Sequence, residues 1–272
     1  MYLYNGQITP EPAIELYNRA FRYGDAFFET MLFHDGSIPL LRLHFERAAK
    51  TLKQLKMQTP DDFSFEGLSP LLYDFLRDEE HPTAKVRISF WRNGHGTYLP
   101  HVNTVSYLVE AAPITNKPFV LNEKGLVLGV YKETYKNTDF LANLKTIGCL
   151  TYTLASMWVR ENGVDDAVLL NSHGRIAECT SSNVFIVRGS EIITPPLSEG
   201  CLDGVMRRHL LATLPNKGFN VKEQPVEITD LHLADEVFIT NALGVKWIGK
   251  IGEKSYSGNK VATINTILSE VV

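Results

Sequence analysis

The chain has 272 residues, of which 44% are hydrophobic and 21% are charged, an ordinary composition for a globular protein with a buried core. Its formal net charge of -4 argues against a nucleic-acid-binding protein, because affinity for phosphates requires a basic surface. The chain shows no apolar stretch of the ~20 residues that a membrane span requires, and no secretory signal. We therefore expect a soluble, cytoplasmic protein that binds neither nucleic acid nor a membrane.

The three cysteines, Cys149, Cys179 and Cys201, form no CxxC pair and are odd in number. This pattern indicates free thiols in a reducing compartment. Free cysteine commonly behaves as a small buried hydrophobic residue, and we interpret all three in that way. No metal site is predicted.

The N-terminal part of the chain predicts a hairpin, a strand and a helix. Tyr4-Asn5-Gly6 lies between two short segments, and Asn-Gly is the strongest short-range signal for a β-hairpin. Residues 27–33 predict a strand and residues 43–57 a helix. The apolar stripe of that helix consists of Phe45, Ala48, Ala49, Leu52 and Leu55. A neighbouring face carries His44, Arg47 and Thr51, so Arg47 is expected outside the core.

Residues 65–79 predict a second helix, and residues 85–92 predict an alternating strand. The glycine-rich loop at 93–98 is only a weak match to a phosphate cradle, because it lacks the lysine and the following helix of a nucleotide-binding loop. A further strand is predicted at 105–112. Residues 113–118 have the composition of a linker, so a domain boundary is predicted there.

The central stretch, residues 141–187, is the most informative part of the sequence. A strand at 126–132 comes before it. Lys145 then precedes a helix whose predicted buried face consists of Ile147, Leu150, Leu154, Met157 and Trp158. Asn162-Gly163 ends this helix as a left-handed C-terminal cap requires. An apolar run at 167–170 and a turn at 171–174 lead to a second run, which carries the lone acid Glu178.

Lys145 and Glu178 stand in otherwise uncharged surroundings. A lysine amine and a separated carboxylate are what a pyridoxal-phosphate enzyme needs: the amine forms a Schiff base, and the carboxylate keeps the pyridine nitrogen protonated. Lys132 and Lys136 compete with Lys145 on chemistry alone, and Lys145 is preferred for its position ahead of the helix. The ordinary alternative is a solvated lysine and an exposed strand glutamate, since charged side chains are rarely buried.

A third segment that could bind a ligand follows Pro195-Pro196. There, residues 201–204 lead into a helix predicted at 205–214. Gly204 at the helix entrance would let backbone N–H groups approach a phosphate closely, and the helix dipole favours the anion. Asp203 would repel a phosphate unless its side chain faces away. An ordinary helix capped by Asp203 is the alternative. Short strands at 221–225 and 236–240, a helix at 228–234 and a closing helix at 264–272 complete the prediction.

Three segments together resemble the signature of the class IV aminotransferases: LANLKTIGCL, DDAVLLNSHGRIAECTSSNVFIV and TPPLSEGCLDGVMRR. This family, the fold-type IV pyridoxal-phosphate enzymes, includes branched-chain and D-amino-acid aminotransferases and 4-amino-4-deoxychorismate lyase. The resemblance implies an α+β fold of two domains, similar to D-amino-acid aminotransferase, with the cofactor between the domains. The domains implied are a smaller one at 1–112, a linker at 113–124 and a larger one at 125–272 carrying the lysine and the phosphate cup. The resemblance also implies a homodimer.

The resemblance assigns roles to individual residues. Lys145 is the catalytic lysine, and Glu178 binds the ring nitrogen of pyridoxal 5′-phosphate. The cofactor phosphate is expected on Arg47, on the amides of Val205 and Met206, and near Asn241. The candidates for the pocket of the small amino substrate are Tyr23, Glu29, Arg92, His95 and Tyr98. Family members often carry an arginine near the end of the 93–98 loop, and none follows Tyr98 here, so recognition of the substrate carboxylate stays unassigned.

The resemblance leaves the reaction open. Asn241-Ala242-Leu243 is more similar to the lyase than to the Gly-Thr-Ala of branched-chain aminotransferases, and Leu150 replaces their tyrosine, although D-amino-acid aminotransferases also tend to have leucine there. We therefore favour a lyase that converts 4-amino-4-deoxychorismate to p-aminobenzoate and pyruvate. The alternative is an aminotransferase for branched-chain or D-amino acids with 2-oxoglutarate. A more remote alternative is a non-catalytic protein that binds a phosphorylated metabolite through Arg47 and the Gly204 helix entrance.

Overall fold

The structure, a computed structural model, describes residues 1–78, 82–115 and 118–269. The described chain divides into two compact units. One contains the residues up to 115 together with Lys145–Gly148, and the other contains residues 118–144 and 149–269. Within the described ranges, the structure contains no helix long and apolar enough to cross a bilayer. The last residues of the predicted helices at 65–79 and 264–272 lie partly outside these ranges.

The first unit is a five-stranded antiparallel sheet with two long helices. Its strands are β1 (Tyr2–Tyr4), β2 (Gln7–Thr9), β3 (Ala26–His34), β4 (Thr83–Arg92) and β5 (Val105–Pro113). Its helices are α1 (Arg19–Tyr23), α2 (Leu41–Gln54) and α3 (Phe65–Asp78). The strand order is β2-β1-β5-β4-β3, and the hairpin predicted at Asn5-Gly6 is confirmed. The core packs α2 and α3 on the sheet through residues such as Leu52, Phe75 and Phe90.

The expectation that Arg47 lies outside the core is wrong. His44, Arg47 and Thr51 are only 2%, 4% and 1% exposed. They are buried because they have polar partners: His44 and Arg47 bind Glu29 of β3, and the Thr51 hydroxyl donates to the Arg47 carbonyl oxygen over 2.9 Å. Burial of a polar group costs little when its hydrogen bonds are made.

The segment Lys145–Gly148 belongs to the first unit, whereas the sequence places it in the larger C-terminal domain. The cause is strand pairing. The N–H of Phe28 donates to the Lys145 carbonyl oxygen over 2.9 Å, and the N–H of Ile147 donates to the Ala26 carbonyl oxygen over 3.2 Å. Because β3 is the edge strand of its sheet, it has backbone groups available for such a partner.

The second unit is built on a nine-stranded mixed sheet. Its strands are β6 (Leu126–Lys136), β7 (Asp166–Asn171), β8 (Ile176–Cys179), β9 (Asn183–Arg188), β10 (Glu191–Thr194), β11 (Asn220–Glu223), β12 (Glu236–Asn241), β13 (Gly244–Ile251) and β14 (Lys254–Ser255). Its helices are α4 (Leu150–Asn162), α5 (Val205–Thr213), α6 (Ile228–Leu233) and α7 (Asn259–Ser269). The order is β11-β10-β9-β12-β13-β6-β7-β8, and β14 pairs with β13. Short 3-10 turns lie at Phe140–Asn143, Leu197–Glu199 and Leu214–Lys217.

The buried face predicted for α4 is wrong at three positions. Leu150, Leu154 and Met157 are 77%, 46% and 45% exposed. The helix packs on Tyr131 of β6 and on β7 with a neighbouring stripe, formed by Tyr152, Ala155 and Val159 together with Trp158, which the prediction contains. Both stripes have helical spacing, so periodicity alone could not choose between them. The predicted cap is confirmed, because Gly163 ends the helix with φ of 64°.

Candidate active site

Glu178 is a buried carboxylate in β8 of the second unit, opposite Leu169 of β7 and only 3% exposed. The ordinary alternative of an exposed strand glutamate is therefore wrong. Glu178 Oε1 accepts hydrogen bonds from Lys136 Nζ and from the Tyr152 hydroxyl, the latter over 2.7 Å. Glu178 Oε2 accepts the backbone N–H of Leu202 over 2.9 Å. A buried charge with such partners is stabilised where an isolated one would not be.

Lys136, at the end of β6, is the other member of this buried ion pair and is 7% exposed. Its ammonium also donates to the Tyr152 hydroxyl over 2.6 Å. Burial, followed by the charge of Glu178, raises the pKa of Tyr152, so the phenol stays neutral. Lys132, four residues earlier on the same strand, is exposed. Of the two competing lysines, one is thus solvated and the other is bound to Glu178.

The carboxylate of Glu178 retains capacity for one further donor. An ionised carboxylate has about four acceptor positions. In the described part of the chain, two donors reach Oε1 and one reaches Oε2. The remaining position lies on Oε2, on the atom that is also held by the Leu202 amide.

The backbone continues from Leu202 directly into the N-terminus of α5. The N-cap residue is Gly204, and Val205 and Met206 form the first turn of the helix. The predicted alternative, in which Asp203 is the N-cap residue, is therefore wrong. The Asp203 carboxylate is 5% exposed and lies 3.5 Å from Arg208 Nε. Since helix N-termini favour anions, this end of α5 suits a phosphate.

Polar groups that sequence analysis missed surround this helix entrance. A Cβ atom added to Gly204 would lie 1.9 Å from Asn183 Oδ1, so glycine is required there. Asn183 pairs with Thr240 in the register of β9 and β12. Thr240 is 1% exposed, and its hydroxyl has no hydrogen-bond partner in the ranges that the structure describes. A buried hydroxyl without a partner is costly and indicates room for a ligand acceptor.

Asn241 organises the hairpin that joins β12 to β13. Its amide nitrogen donates to Ser181 O over 3.3 Å and to Ser182 Oγ over 3.2 Å, and its Oδ1 accepts the Leu243 N–H over 2.9 Å. These bonds give Asn241 a local structural role. Its role as a phosphate ligand stays a prediction.

Lys145 lies in the first unit beside β3. Its backbone pairs with Phe28, and its Nζ is 4.5 Å from the centre of the Phe28 ring. Its charge also acts on His44, whose pKa is lowered mainly by burial. The side chain is half-buried, so the alternative of a fully solvated lysine does not describe it.

Arg47 is held in place by Glu29. Arg47 Nε donates to Glu29 Oε1 over 2.8 Å, Arg47 Nη2 donates to Oε2, and His44 Nδ1 lies 2.7 Å from the same Oε2. Burial opposes the charge of Glu29, but the charge of Arg47 and these hydrogen bonds outweigh it and lower the pKa of Glu29 to about 2. Both oxygens of Glu29 are engaged, so this carboxylate orients Arg47. Its role as a substrate contact stays a prediction.

Two of the remaining pocket candidates lie together. The rings of Tyr23 and Tyr98 are 6.1 Å apart, and the Arg19 guanidinium lies 5.0 Å from the Tyr23 ring. Arg19, which the sequence did not single out, also donates to Thr97 O over 2.8 Å and so ties the 93–98 loop to α1. His95 of this loop is exposed.

Arg92 is bonded to four acceptors in the first unit. Its Nε donates to Asp25 over 2.9 Å, its Nη1 donates to Lys56 O over 3.1 Å and to Asn103, and its Nη2 donates to Leu55 O over 2.7 Å. The guanidinium is 7% exposed and bonded on every nitrogen, so it stabilises the packing of neighbouring segments in the first unit. Its role in recognising a substrate carboxylate stays a prediction.

Comparison with known proteins decides the family. Residues 26–250 match the profile of the family described as Amino-transferase class IV. The chain belongs to the class IV aminotransferase family. The match contains the Lys145 segment, Glu178 and the start of α5. Members of this family are pyridoxal-phosphate enzymes, so the predicted enzyme class and cofactor are confirmed, and the alternative of a non-catalytic binding protein has no remaining support.

Relatives within the family carry two different activities in their names. The chain is 26% identical to a putative branched-chain-amino-acid aminotransferase of Methanocaldococcus jannaschii over 98% of its own length and 93% of that protein. It is 29% identical to an aminodeoxychorismate lyase of Vibrio harveyi over 89% and 88% of the two chains.

The fold prediction is confirmed by solved structures. The branched-chain amino acid aminotransferase of Escherichia coli superposes with a TM-score of 0.88 at 21% identity, over 100% of this chain and 94% of that one. The two-domain α+β fold is therefore that of the fold-type IV enzymes.

Proposed function

We propose that this protein is a pyridoxal-phosphate-dependent lyase that converts 4-amino-4-deoxychorismate to p-aminobenzoate and pyruvate. The observation that carries the cofactor-binding part of this proposal is the backbone segment 202–204. The Leu202 amide binds Glu178, and two residues later Gly204 opens α5. Three residues of backbone span at most about 10 Å, which suits a pyridine ring bearing a phosphate arm.

The residues present fit the cofactor. Glu178 Oε2 has the acceptor position that a protonated ring nitrogen needs. The amides of Val205 and Met206 and the buried Thr240 hydroxyl supply donors of the kind that phosphate requires. Arg47 is proposed as a further phosphate ligand from the resemblance to the family. When bound, pyridoxal 5′-phosphate supplies an electron-accepting ring for the bond-breaking step.

Lys145 is proposed to hold the cofactor through its amine and then to move the substrate α-proton as a general base. Its carbonyl oxygen accepts the Phe28 N–H, the nearby Ile147 N–H donates to Ala26 O of the same strand, and the Phe28 ring lies 4.5 Å from its amine. A fixed base close to the reacting carbon gains from proximity and orientation. Lys136 is less suited to this task, because its amine is already bonded to Glu178 and Tyr152.

The choice of a lyase rests on other observations than the choice of the class. The hairpin sequence Asn241-Ala242-Leu243 and Leu150 support it, as does the 29% identity to the Vibrio harveyi lyase. The second candidate is an aminotransferase acting on branched-chain or D-amino acids. The Methanocaldococcus jannaschii relative, aligned over nearly the whole chain, supports this second candidate.

The test is a pair of assays on one preparation loaded with pyridoxal 5′-phosphate. Incubation with 4-amino-4-deoxychorismate is expected to release p-aminobenzoate and pyruvate in equal amounts, and Lys145→Ala is expected to abolish this release. In parallel, the protein is incubated with L-leucine, L-valine or D-alanine and 2-oxoglutarate. Rapid glutamate formation without p-aminobenzoate would replace the lyase by the aminotransferase.

We propose a homodimer as the assembly. The support on this chain is the apolar surface of α4, where Leu150, Leu154 and Met157 are exposed. Exposed apolar groups that are contiguous commonly mark an interface. Light scattering coupled to size exclusion is expected to give twice the 30.6 kDa of one chain, and a monomer would contradict the proposal.

A further inference from the structure

We propose that Lys136 is a positioning residue that keeps the shared proton on the cofactor ring nitrogen rather than on Glu178. This inference rests on the proposed function, in which Glu178 Oε2 accepts the ring N–H. Lys136 does not touch the cofactor in this arrangement. It acts through the carboxylate, with Tyr152 as a second donor.

The two oxygens of Glu178 have different hydrogen-bond donors. Lys136 Nζ and the Tyr152 hydroxyl both bond Oε1, and Lys136 also donates to the Tyr152 oxygen, which closes a three-membered ring of hydrogen bonds. Oε2 is bonded by the Leu202 amide alone within the described residues. The carboxylate therefore cannot rotate without breaking these bonds, and its open acceptor position stays on Oε2.

Electrostatics decides where the proton lies. If the proton is on the ring, the site holds a cationic ring, an anionic carboxylate and the Lys136 ammonium. If the proton moves to Glu178, only the ammonium charge remains. The Lys136 ammonium is in contact with Glu178 Oε1, whereas a ring nitrogen bonded to Oε2 would lie farther from it. Because Coulomb energy falls with distance, attraction to the carboxylate exceeds repulsion from the ring. Lys136 thus favours the protonated ring, which is the better electron acceptor.

The other titratable groups facing Glu178 do not compete with this effect. Burial raises the pKa of Tyr152, and it raises the pKa of Cys179 well above its usual value. Burial also raises the pKa of Cys201 to about 12. These three groups stay neutral at physiological pH. Lys136 is thus the charged partner that contacts Glu178 in the described residues, and its place depends on the irregular end of β6, where Lys136 pairs with Asn171 after a register shift.

The test uses holoprotein reconstituted with pyridoxal 5′-phosphate labelled with ¹⁵N at the ring nitrogen. Wild type and Lys136→Arg are expected to give the ¹⁵N shift of a protonated ring, and Lys136→Met a shift toward the neutral ring. The rate constant kcat of Lys136→Met is expected to fall by about 10- to 100-fold, with a smaller change in KM. Lys132→Met, on the exposed lysine of the same strand, is the matched control and should match wild type.

The outcomes separate this inference from the proposed function. A Lys136→Met holoprotein with the wild-type nitrogen shift overturns the inference alone, even if the variant is less stable. A wild type that binds no pyridoxal 5′-phosphate overturns the proposed function, and this inference with it. If Lys136→Met does not fold, Tyr152→Phe serves instead. It removes one hydrogen bond to Oε1, and we expect a smaller shift in the same direction; an unchanged shift counts against the inference.

Discussion

Gly204 and Asn183 lie so close together that a Cβ atom on Gly204 would be 1.9 Å from Asn183 Oδ1. The Asn183 side chain cannot retreat freely, because its amide nitrogen donates to Leu202 O over 2.9 Å. The same backbone segment reaches Glu178 through the Leu202 amide and opens α5 through Gly204. The proposed contacts to the ring nitrogen and to the phosphate therefore depend on one close approach of backbone and side chain.

Substitution of Gly204 by alanine should disturb both proposed contacts. The new methyl group must displace Asn183 or the backbone, which overpacks the site at a cost of about 1–3 kcal/mol. We expect the Kd for pyridoxal 5′-phosphate, measured by absorbance titration of apoprotein, to rise about tenfold or more. The double variant Gly204→Ala with Asn183→Ala removes the clash and should recover part of the affinity. A Gly204→Ala protein with the wild-type Kd would contradict the assigned anion site.

Arg47 is predicted to recognise the phosphate of the cofactor and not its ring. Arg47→Met should therefore weaken binding of pyridoxal 5′-phosphate by about 1.5–3 kcal/mol, the worth of a hydrogen bond to a charged group, and should leave binding of phosphate-free pyridoxal nearly unchanged. Arg42→Met, on the exposed arginine of the same helix, is the matched control. Equal losses for both ligands in Arg47→Met would indicate a structural role for Arg47 only.

Glu29 should make the protein sensitive to acid. Its pKa is lowered from 4.5 to about 2, so its ionisation contributes about 3 kcal/mol of unfolding free energy above pH 4.5, lost as the pH falls toward 2. Burial lowers the pKa of His44 below 6.5, so the unfolded chain binds that proton first and stability already declines below pH 6.5. Urea unfolding is measured at several pH values to obtain the unfolding free energy at each. Below pH 4.5, this free energy should depend less steeply on pH in Glu29→Gln than in wild type. The same dependence on pH in both proteins would contradict this.

The exposed stripe of α4 should tolerate polar substitution in the folded chain. Leu154 is 46% exposed, so Leu154→Ser should change the unfolding free energy by about 0.5 kcal/mol or less. Leu169 is 1% exposed beneath the same helix, and Leu169→Ala should cost about 2–5 kcal/mol. Urea denaturation at a protein concentration where the variants are monomeric provides the comparison. A large loss for Leu154→Ser would restore the buried face predicted from the sequence.

Local signals in the sequence were sufficient for much of the fold. Asn5-Gly6 marks its hairpin and Gly163 its helix cap, because turn and cap conformations depend on a few adjacent residues. The choice of buried face on α4 was not available from periodicity, since two stripes share the helical spacing and only the strands beneath them decide. The burial of Arg47 was not predicted for a related reason, since its partner Glu29 lies on another element.

In the candidate site, too, the sequence identified individual residues but not their long-range partners. Glu178 was identifiable as a lone acid in an apolar run, but its partners Lys136 and Tyr152 are 42 and 26 residues away, and nothing in the sequence links them. Thr240 was missed although Asn241 beside it was named, because only the sheet register places it opposite Asn183. Long-range pairing of this kind depends on the tertiary structure.

The most direct test of the account is to find which lysine carries the cofactor. The protein is incubated with pyridoxal 5′-phosphate, reduced with borohydride and digested, and the modified peptide is sequenced by mass spectrometry. The account predicts a single modified residue, Lys145, and no modification in Lys145→Arg. Attachment at Lys136, or an unmodified protein after reduction, would contradict it.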